Sequence, residues 1–254
     1  MEGFPVSPMQ LRVPFYSAAL LLLGPSLVAA ALDGLVLPIR QAEVCAPVSS
    51  RILELKVREG DVVKAGQPLA ILYGKPEELE MQRAKVLLER REFEAKGAKK
   101  LFDSKIIPEA KALESRIDLD LARLQYEAAV EQVRLRTVVA PLDGVVVART
   151  REVGEAVSTA QTLFRILDLT SVVVQCGADP AEARRLSPGQ KVRVHLLPPA
   201  EVSDYMGEVV LVAPYVDGEG KVPLRVVVDN AAGRIRSGHR AQVVLPALST
   251  AHSQ

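Results

Sequence analysis

Two stretches of this 254-residue chain repeat one another without a gap. Residues 45–72 read CAPVSSRILELKVREGDVVKAGQPLAIL, and residues 139–166 read VAPLDGVVVARTREVGEAVSTAQTLFRI, 94 positions later. Each copy contains short apolar runs separated by a glycine turn, which predicts short strands. One copy has too few strands to bury a sheet face by itself. The repeat therefore predicts that the two copies pack as halves of one small sandwich with pseudo-twofold symmetry.

The segment between the repeats, residues 75–136, has a different composition. It holds only three of the chain's 35 valines but 27 of its 63 acidic and basic residues. Because valine favours strands, this segment is predicted to be helical and its flanks to be sheet. Asp103 tolerates a left-handed backbone and Pro108 suits the first position of a returning helix, so a turn is expected between them. The segment predicts an antiparallel α-helical hairpin about 40 Å long.

Apolar residues along each predicted helix recur at spacings of three and four, which predicts a coiled-coil seam. In the first helix, with Arg91 as a polar interruption, the row is Met81, Ala84, Leu88, Ala95, Ala98 and Phe102. In the second helix the row is Ala110, Leu113, Ile117, Leu121, Leu124, Ala128 and Leu135. We expect these two rows to meet between the helices. The pattern alone leaves open whether the hairpin is only a structural arm.

Residues 18–32 form an apolar run of the length found in signal peptides. A Gly-Pro pair interrupts the run, and a membrane-spanning helix usually needs about 20 apolar residues. We expect cleavage near Ala30 or Ala31, so that residues 1–31 are a signal peptide. An uncleaved N-terminal anchor is the alternative, and both forms export the bulk of the chain.

Apolar runs separated by turns fill the last third of the chain. They lie at residues 172–176, 192–197, 207–212, 224–228 and 241–245. Short strands of this kind predict a closed or nearly closed β-barrel over residues 171–246, followed by a disordered tail at 247–254. Asp179 and Pro180 predict the start of a short helix that reaches Leu186.

The residue types needed for most catalytic and metal chemistry are sparse in this sequence. There are two cysteines and three histidines, and the phosphate-binding glycine loop, HExxH and GxSxG are absent from the sequence. The 32 basic and 31 acidic residues nearly balance, which disfavours a broad nucleic-acid-binding surface. We expect no enzyme activity, no cofactor, no metal and no nucleic-acid partner. Cys45 and Cys176 either form a disulfide or remain free thiols.

The two repeats resemble the split biotinyl–lipoyl domain of the HlyD-type periplasmic adaptor, or membrane fusion protein, family. The residues that carry this resemblance are Pro47, Gly60, Gly66, Pro141, Gly144 and Gly154. The segment from Gly34 to Arg40 resembles the family's first strand, whereas Ser50 replaces a glycine that is usual there.

The fold that this resemblance implies is mainly β with an α-helical hairpin. A first lipoyl-like half at residues 32–74 and a second at 137–170 would form one β-sandwich. An antiparallel coiled-coil hairpin at residues 75–136 would be inserted between these halves, and a β-barrel would follow at residues 171–246.

The function that the resemblance implies is that of a non-catalytic, homo-oligomeric scaffold of the periplasm, associated with the inner membrane, with a hexamer as one stoichiometry. It would link an inner-membrane transporter of the RND or ABC class to a TolC-like outer-membrane channel. The hairpin tip would make the partner contact through Leu101, Phe102, Asp103, Ser104, Ile106 and Ile107. Apolar residues in a turn call for cover by a partner or by one another, so self-packing of the tip is the alternative.

Two features weigh on the details of this implied function. In the RND branch the tip often carries an Arg, a Leu four residues on and a Ser seven further, and only Leu101 matches, since Gly97 and Pro108 occupy the other places. A lipoyl or biotinyl carrier is disfavoured because the hairpin replaces the turn that would present the modified lysine. A periplasmic scaffolding module outside any conduit remains the other alternative.

Overall fold

The computed structural model describes residues 2–3, 31–198 and 204–245. The predicted signal peptide lies almost entirely outside these residues, and the predicted tail lies wholly outside them. The described elements are β1 (Ala31–Cys45), β2 (Ser50–Leu55), β3 (Val62–Val63), β4 (Pro68–Leu72), α1 (Lys75–Asp103), α2 (Glu109–Arg134), β5 (Thr137–Val139), β6 (Gly144–Arg149), β7 (Ala156–Val157), β8 (Thr162–Ala178), α3 (Pro180–Ala183), β9 (Lys191–Leu196), β10 (Asp204–Val212), β11 (Val222–Asp229) and β12 (Arg240–Val244). Across the described parts of the chain, no helix combines the length and the hydrophobicity needed to cross a membrane.

The two sequence repeats build two equivalent sets of strands, which we call the repeat module. One set has the order β1–β8–β6–β3 and the other has the order β5–β4–β2–β7. Each strand has its counterpart 94 residues away at the same place in the other set: β6 matches β2, β7 matches β3, the start of β8 matches β4, and β5 matches the end of β1. The module is therefore symmetric about a pseudo-twofold axis.

Hydrogen bonds between the two copies are exchanged in the way that a twofold axis requires. The Ala46 N–H donates to the Gln161 carbonyl at 2.8 Å, and the Ala140 N–H donates to the Gln67 carbonyl at 2.9 Å. Three further pairs of hydrogen bonds follow the same symmetry. With the N–H donor named first and the carbonyl acceptor second, they are Ile52 to Glu155 with Val146 to Asp61, Gly60 to Val146 with Gly154 to Ile52, and Gly66 to Ala140 with Ala160 to Ala46. Neither copy can satisfy these backbone groups alone, so the two halves stabilise each other.

The core of the module draws equally on both copies. Equivalent side chains that are at most 4% exposed are Ile52 and Val146, Val63 and Val157, Leu69 and Leu163, and Leu72 and Ile166. Burying such side chains contributes roughly 1.5–3 kcal/mol each. The helices α1 and α2 leave this core between β4 and β5, while the second copy continues through β8 into the remaining strands.

The predicted seam of α2 is wrong, whereas the row predicted on α1 faces its partner helix. On α1, Ala84 is buried and Met81, Leu88, Arg91, Ala95 and Ala98 are partly buried. On α2, the expected Leu113, Ile117, Leu121 and Leu124 are all at least 50% exposed. The side chains that lie in the seam instead are Ala112, Ser115, Leu119, Ala122, Tyr126, Ala129 and Val133.

The observed row keeps strict spacings of three and four, whereas the expected row has consecutive spacings of four at Leu113, Ile117 and Leu121, so its leucine content, and not its periodicity, set the expected row apart. The observed seam contains small residues, and its buried members Ala122 and Ala129 allow the helices to approach closely. It also brings Asp118 of α2 to the polar interruption of α1, where the Arg91 Nη1 lies 3.1 Å from the Asp118 Oδ2. A seam formed by the leucine row would leave that arginine without this carboxylate.

Six strands close into an antiparallel ring in the order β1–β12–β9–β10–β11–β8, and β8 pairs back to β1. Its first strand is the N-terminal part of β1, where Ala31 pairs with Val244. The helix α3 that follows β8 ends at Ala183, before the expected Leu186, because the Leu186 N–H bonds to the Ala183 carbonyl three residues back. This tighter turn places Leu186 in the core of the ring.

The strands β1 and β8 are shared by the module and the ring, and a polar cluster marks the crossing. The Arg40 Nε and Nη2 donate to the Asp168 Oδ2 at 3.0 and 2.8 Å. The Thr170 N–H and hydroxyl donate to the Asp168 Oδ1 at 3.1 and 2.6 Å. Burial raises the pKa of Asp168, but the hydrogen bonds from Thr170 and Arg40 outweigh it and hold the pKa below its ordinary value.

The two cysteines are free, so the disulfide alternative is wrong. Cys45 pairs with Thr162 and Cys176 pairs with Gly34, at opposite ends of their long strands. At about 3.3 Å per residue, Thr162 and Cys176 are separated by about 45 Å along β8, far beyond the reach of a disulfide. Burial raises the pKa of the Cys176 thiol to about 11, so this group is protonated at neutral pH.

Candidate functional site

The root of the hairpin is fastened to the repeat module by one arginine. The Arg136 Nη2 donates to the Glu77 Oε1 at 2.5 Å, and its Nη1 donates to the Tyr73 carbonyl at 3.3 Å. Gly74 makes room for this side chain, since a Cβ there would lie 2.6 Å from the Arg136 Cγ. The first turn of α1 and the end of α2 are thus held together, which fixes the direction in which the hairpin leaves the module.

The apex of the hairpin is a hydrogen-bonded C-terminal cap of α1. The Lys105 N–H donates to the Phe102 carbonyl and the Ile106 N–H donates to the Leu101 carbonyl, both at 2.8 Å. Lys105 has a φ of +60°, the left-handed conformation in which this cap usually has glycine. Pro108 then adopts an extended backbone and α2 begins at Glu109.

The six residues expected to contact a partner lie together on this apex. Leu101, Phe102, Asp103, Ser104 and Ile106 are exposed, and Ile107 is partly buried. Ile106 is 67% exposed, so packing among the tip residues leaves apolar surface uncovered. The apex therefore presents apolar side chains around a short polar turn.

The apex also carries all of the excess positive charge of the hairpin. Between residues 96 and 111 there are five lysines and two acids, a net charge of +3, whereas the remainder of residues 75–136 has nine basic and eleven acidic residues, a net charge of −2. The lysines are Lys96, Lys99, Lys100, Lys105 and Lys111. Lys111 bonds to Glu114 at 2.7 Å, and among the described residues no carboxylate lies within 4 Å of the other four ammonium groups. The apex is thus both basic and partly apolar.

Two further apolar rows lie on the outer faces of the hairpin. On α1, Leu79, Val86 and Phe93 are spaced seven residues apart, and Phe93 is 81% exposed. On α2, Ile117 and Leu124 are spaced in the same way and are also exposed. Each row is offset by two residues from its own seam, a rotation of about 200° round the helix, so each row points away from the partner helix.

The outer row of α1 was missed by the sequence reasoning, although its signal was present. The spacing of seven residues between Leu79, Val86 and Phe93 can be read directly from the sequence. It was hidden by a second row with heptad spacing on the same helix, which satisfied the expectation of one seam. An apolar row beyond the first on a solvated helix is itself a signal for a second contact.

Four of the six residues on which the sequence resemblance rests serve the backbone geometry of the module. Gly60 and Gly154 occupy equivalent turns with φ of +93° and +92°, and Gly66 has a φ of +81°. A Cβ on Gly144 would lie 2.4 Å from a carbonyl oxygen of β8. The remaining two members, both exposed and each preceded by a buried alanine, are Pro47 and Pro141.

Within residues 2–3, 31–198 and 204–245, no group of three or more His, Cys, Asp or Glu side chains is placed to hold a metal ion. The exposed features described above are the basic, partly apolar apex and the two outer rows.

Comparison with known proteins gives a consistent match over the module. The sequence model described as "RND MFP, barrel-sandwich hybrid domain" matches residues 40–169, just over half of the chain. The nickel and cobalt resistance protein CnrB of Cupriavidus metallidurans is 29% identical over 239 residues, which cover 88% of this chain and 58% of CnrB. The nodulation protein NolF of Rhizobium meliloti is 27% identical over 247 residues, covering 86% of this chain and 66% of NolF. The chain thus spans about three-fifths of the length of these relatives.

A solved structure shows the same fold. The MacA–MexA chimeric protein, which contains the α-hairpin domain of Pseudomonas aeruginosa MexA, superposes with a TM-score of 0.77 at 20% sequence identity. The match covers 86% of this chain and 81% of the chimera. The mainly β fold with a barrel-sandwich hybrid domain is therefore shared with that protein.

Proposed function

This chain belongs to the family of RND membrane fusion proteins, and from this membership we propose that it is a non-catalytic adaptor subunit of a multicomponent efflux or secretion system. It links an inner-membrane transporter to an outer-membrane channel. It acts in the periplasm at the inner membrane, as a homo-oligomer. The RND description of the matching family favours a transporter of the RND class over an ABC transporter.

The observation that carries this proposal is a rigidly rooted hairpin with an exposed contact surface at its far end. The helices of 29 and 26 residues extend about 40 Å from the module. The Arg136–Glu77 ion pair fixes the root, and Leu101, Phe102 and Ile106 are uncovered at the apex. Such an arm can bridge a gap between two partners without any chemical step.

The division of labour along the chain follows from this proposal. Residues 32–74 and 137–170 are the lipoyl-like halves, residues 75–136 are the coiled-coil hairpin, and residues 171–246 are the barrel domain. The apex, with Leu101, Phe102, Asp103, Ser104, Ile106 and Ile107, meets a TolC-like channel. The barrel faces the transporter, and a hexameric ring is the stoichiometry to test first.

The test is crosslinking in intact cells from one accessible cysteine, in a chain whose half-buried Cys45 is replaced by serine and whose remaining Cys176 is buried. Cysteine is introduced at Asp103 on the apex and, in a second variant, at the exposed Val216 beyond β10. Cysteine at the exposed Lys64 of the module serves as the matched control. We expect Asp103→Cys to capture an outer-membrane channel, Val216→Cys to capture an inner-membrane transporter, and Lys64→Cys to capture neither.

Recovery of neither partner from Asp103→Cys and Val216→Cys would overturn the adaptor proposal in favour of a scaffold outside any conduit. The intact mass of the exported chain tests the carrier alternative, because a lipoyl or biotinyl group adds a defined mass to a lysine. Growth of a deletion strain on nickel or cobalt salts tests whether the cargo resembles the one in the name of CnrB.

A further inference from the structure

The outer apolar rows of the hairpin are uncovered on two opposite sides. Leu79, Val86 and Phe93 form the row of α1, and Ile117 and Leu124 form the row of α2. Exposed apolar residues that occur singly need no explanation, but regular rows on both flanks of one solvated hairpin do. A single flat partner would cover one flank and leave the other in water.

The ion pair between the helices shows which residues lie at the same height along the hairpin. The Arg91 Nη1 is 3.1 Å from the Asp118 Oδ2. Because the helices are antiparallel, a residue of α1 and a residue of α2 lie at the same height along the hairpin when their residue numbers add to about 209. Phe93 and Ile117 add to 210, and Val86 and Leu124 also add to 210. The two rows are therefore level with each other, although they lie on opposite flanks.

A rotation about an axis along the hairpin preserves height, so it brings the α1 row of one copy level with the α2 row of the next. We propose that a second copy of this chain covers each row, with Phe93 packed against Ile117 and Val86 against Leu124 of the neighbouring hairpin. The inference rests on the proposed homo-oligomer and specifies its contact. Because the two contacting surfaces differ, the contact is heterologous, and repeated rotation closes it into a ring.

The rows also define where this contact ends. One heptad further towards the apex, the level positions are Lys100 and Ala110, which form no apolar pair. One heptad towards the root they are Leu79 and Glu131, and Glu131 bonds to Arg134 at 2.7 Å. The contact thus consists of two layers one heptad apart; it leaves Leu79 outside and the basic apex free to meet another protein.

The test is disulfide formation between copies of the full chain in cells, in the background with serine at Cys45. The matched double variants are Phe93→Cys with Ile117→Cys, and Val86→Cys with Leu124→Cys. The controls exchange partners, Phe93→Cys with Leu124→Cys and Val86→Cys with Ile117→Cys, which displaces the thiols by seven residues, or about 10 Å. A disulfide within one copy is excluded, because helix axes 8–10 Å apart place the two outer faces beyond the roughly 7 Å Cα limit.

We expect the matched variants to form a ladder of covalent oligomers under mild oxidation, with at least about fivefold more product than the exchanged controls. The single variants should give little dimer, because Phe93 faces Ile117 and not another Phe93. Abundant dimer from Phe93→Cys alone would indicate a twofold contact and overturn the inference. Equal products from matched and exchanged pairs, or no product from either, would also overturn it.

A second measurement does not depend on cysteine chemistry. Phe93→Asp should shift the chain towards monomer in sedimentation velocity, whereas Gln125→Asp, an equal charge change off the row, should not. Unchanged helical content in circular dichroism shows that the variant hairpin is folded. If Asp103→Cys captures a channel while the matched pairs fail to crosslink, the contact between hairpins is refuted and the adaptor proposal stands. If the matched pairs crosslink while Asp103→Cys and Val216→Cys capture nothing, the contact between hairpins stands and the adaptor proposal is refuted.

Discussion

The pseudo-twofold module offers a paired test of backbone strain, because equivalent turns carry different residues. Gly66 in the first copy has a φ of +81°, and its counterpart Ala160 in the second has a φ of +65°. A Cβ added to Gly66 meets no atom within 4 Å, so only the backbone conformation distinguishes the two residues there. The left-handed conformation costs an L-residue about 1–2 kcal/mol, and glycine loses about 0.4–1 kcal/mol more than alanine through its freedom in the unfolded chain.

The difference between these two terms predicts that Ala160→Gly stabilises the protein by about 0.5–1 kcal/mol and that Gly66→Ala destabilises it by a similar amount. The double variant exchanges the two residues between the copies and should return close to the original stability, because separate sites add. Urea unfolding of each variant is monitored by circular dichroism, and the unfolding midpoints are compared at constant m value.

Gly154→Ala is the calibrating control for this pair. Its φ of +92° lies further from the left-handed minimum than that of Ala160, so the loss should exceed that of Gly66→Ala. The reasoning is refuted if Ala160→Gly lowers the midpoint, or if Gly66→Ala leaves it unchanged while Gly154→Ala lowers it.

Three further changes probe the apex, the strand crossing and the root. Lys105→Gly should raise the melting temperature of the hairpin, because it removes a backbone strain of about 1 kcal/mol from the left-handed conformation of Lys105. Thermal unfolding followed by circular dichroism at 222 nm measures this change. Asp168→Asn should lower the free energy of unfolding by about 1–2 kcal/mol at neutral pH. Because the pKa of Asp168 is depressed in the folded protein, its stabilisation is present above its unfolded pKa of about 4. The difference in unfolding free energy between the original chain and this variant, measured by urea titration, should therefore disappear as the pH falls through the folded pKa. Arg136→Ala should accelerate hydrogen exchange of the Glu78 N–H, which donates to the Gly74 carbonyl in the first turn of α1, without reducing total helix content; unchanged exchange there would contradict the role of Arg136 in holding the root.

Local signals in the sequence were sufficient for the elements whose partners lie close by or are repeated. The 94-residue repeat predicted two equivalent halves, and the exchanged hydrogen bonds of Ala46 and Ala140 have that symmetry. The change in valine and charge density located the helical segment, in which α1 begins at Lys75 and α2 ends at Arg134. Turn chemistry located the apex, although the residue that adopts the left-handed conformation there is Lys105 and not Asp103.

The sequence by itself determined the repeat, the hairpin and the family resemblance, because strand alternation, helix capping and heptad spacing are properties of neighbouring residues. Only the tertiary structure decided which row of α2 faces α1, since one row has more leucines and the other has the stricter heptad spacing, and the choice depended on alanine size and on Asp118 reaching Arg91. Only the tertiary structure also decided that β1 and β8 serve both the module and the ring, since strand pairing joins residues more than 100 positions apart. The spacing of the outer row of α1 is present in the sequence, but the exposure of Phe93 is a property of the packed hairpin.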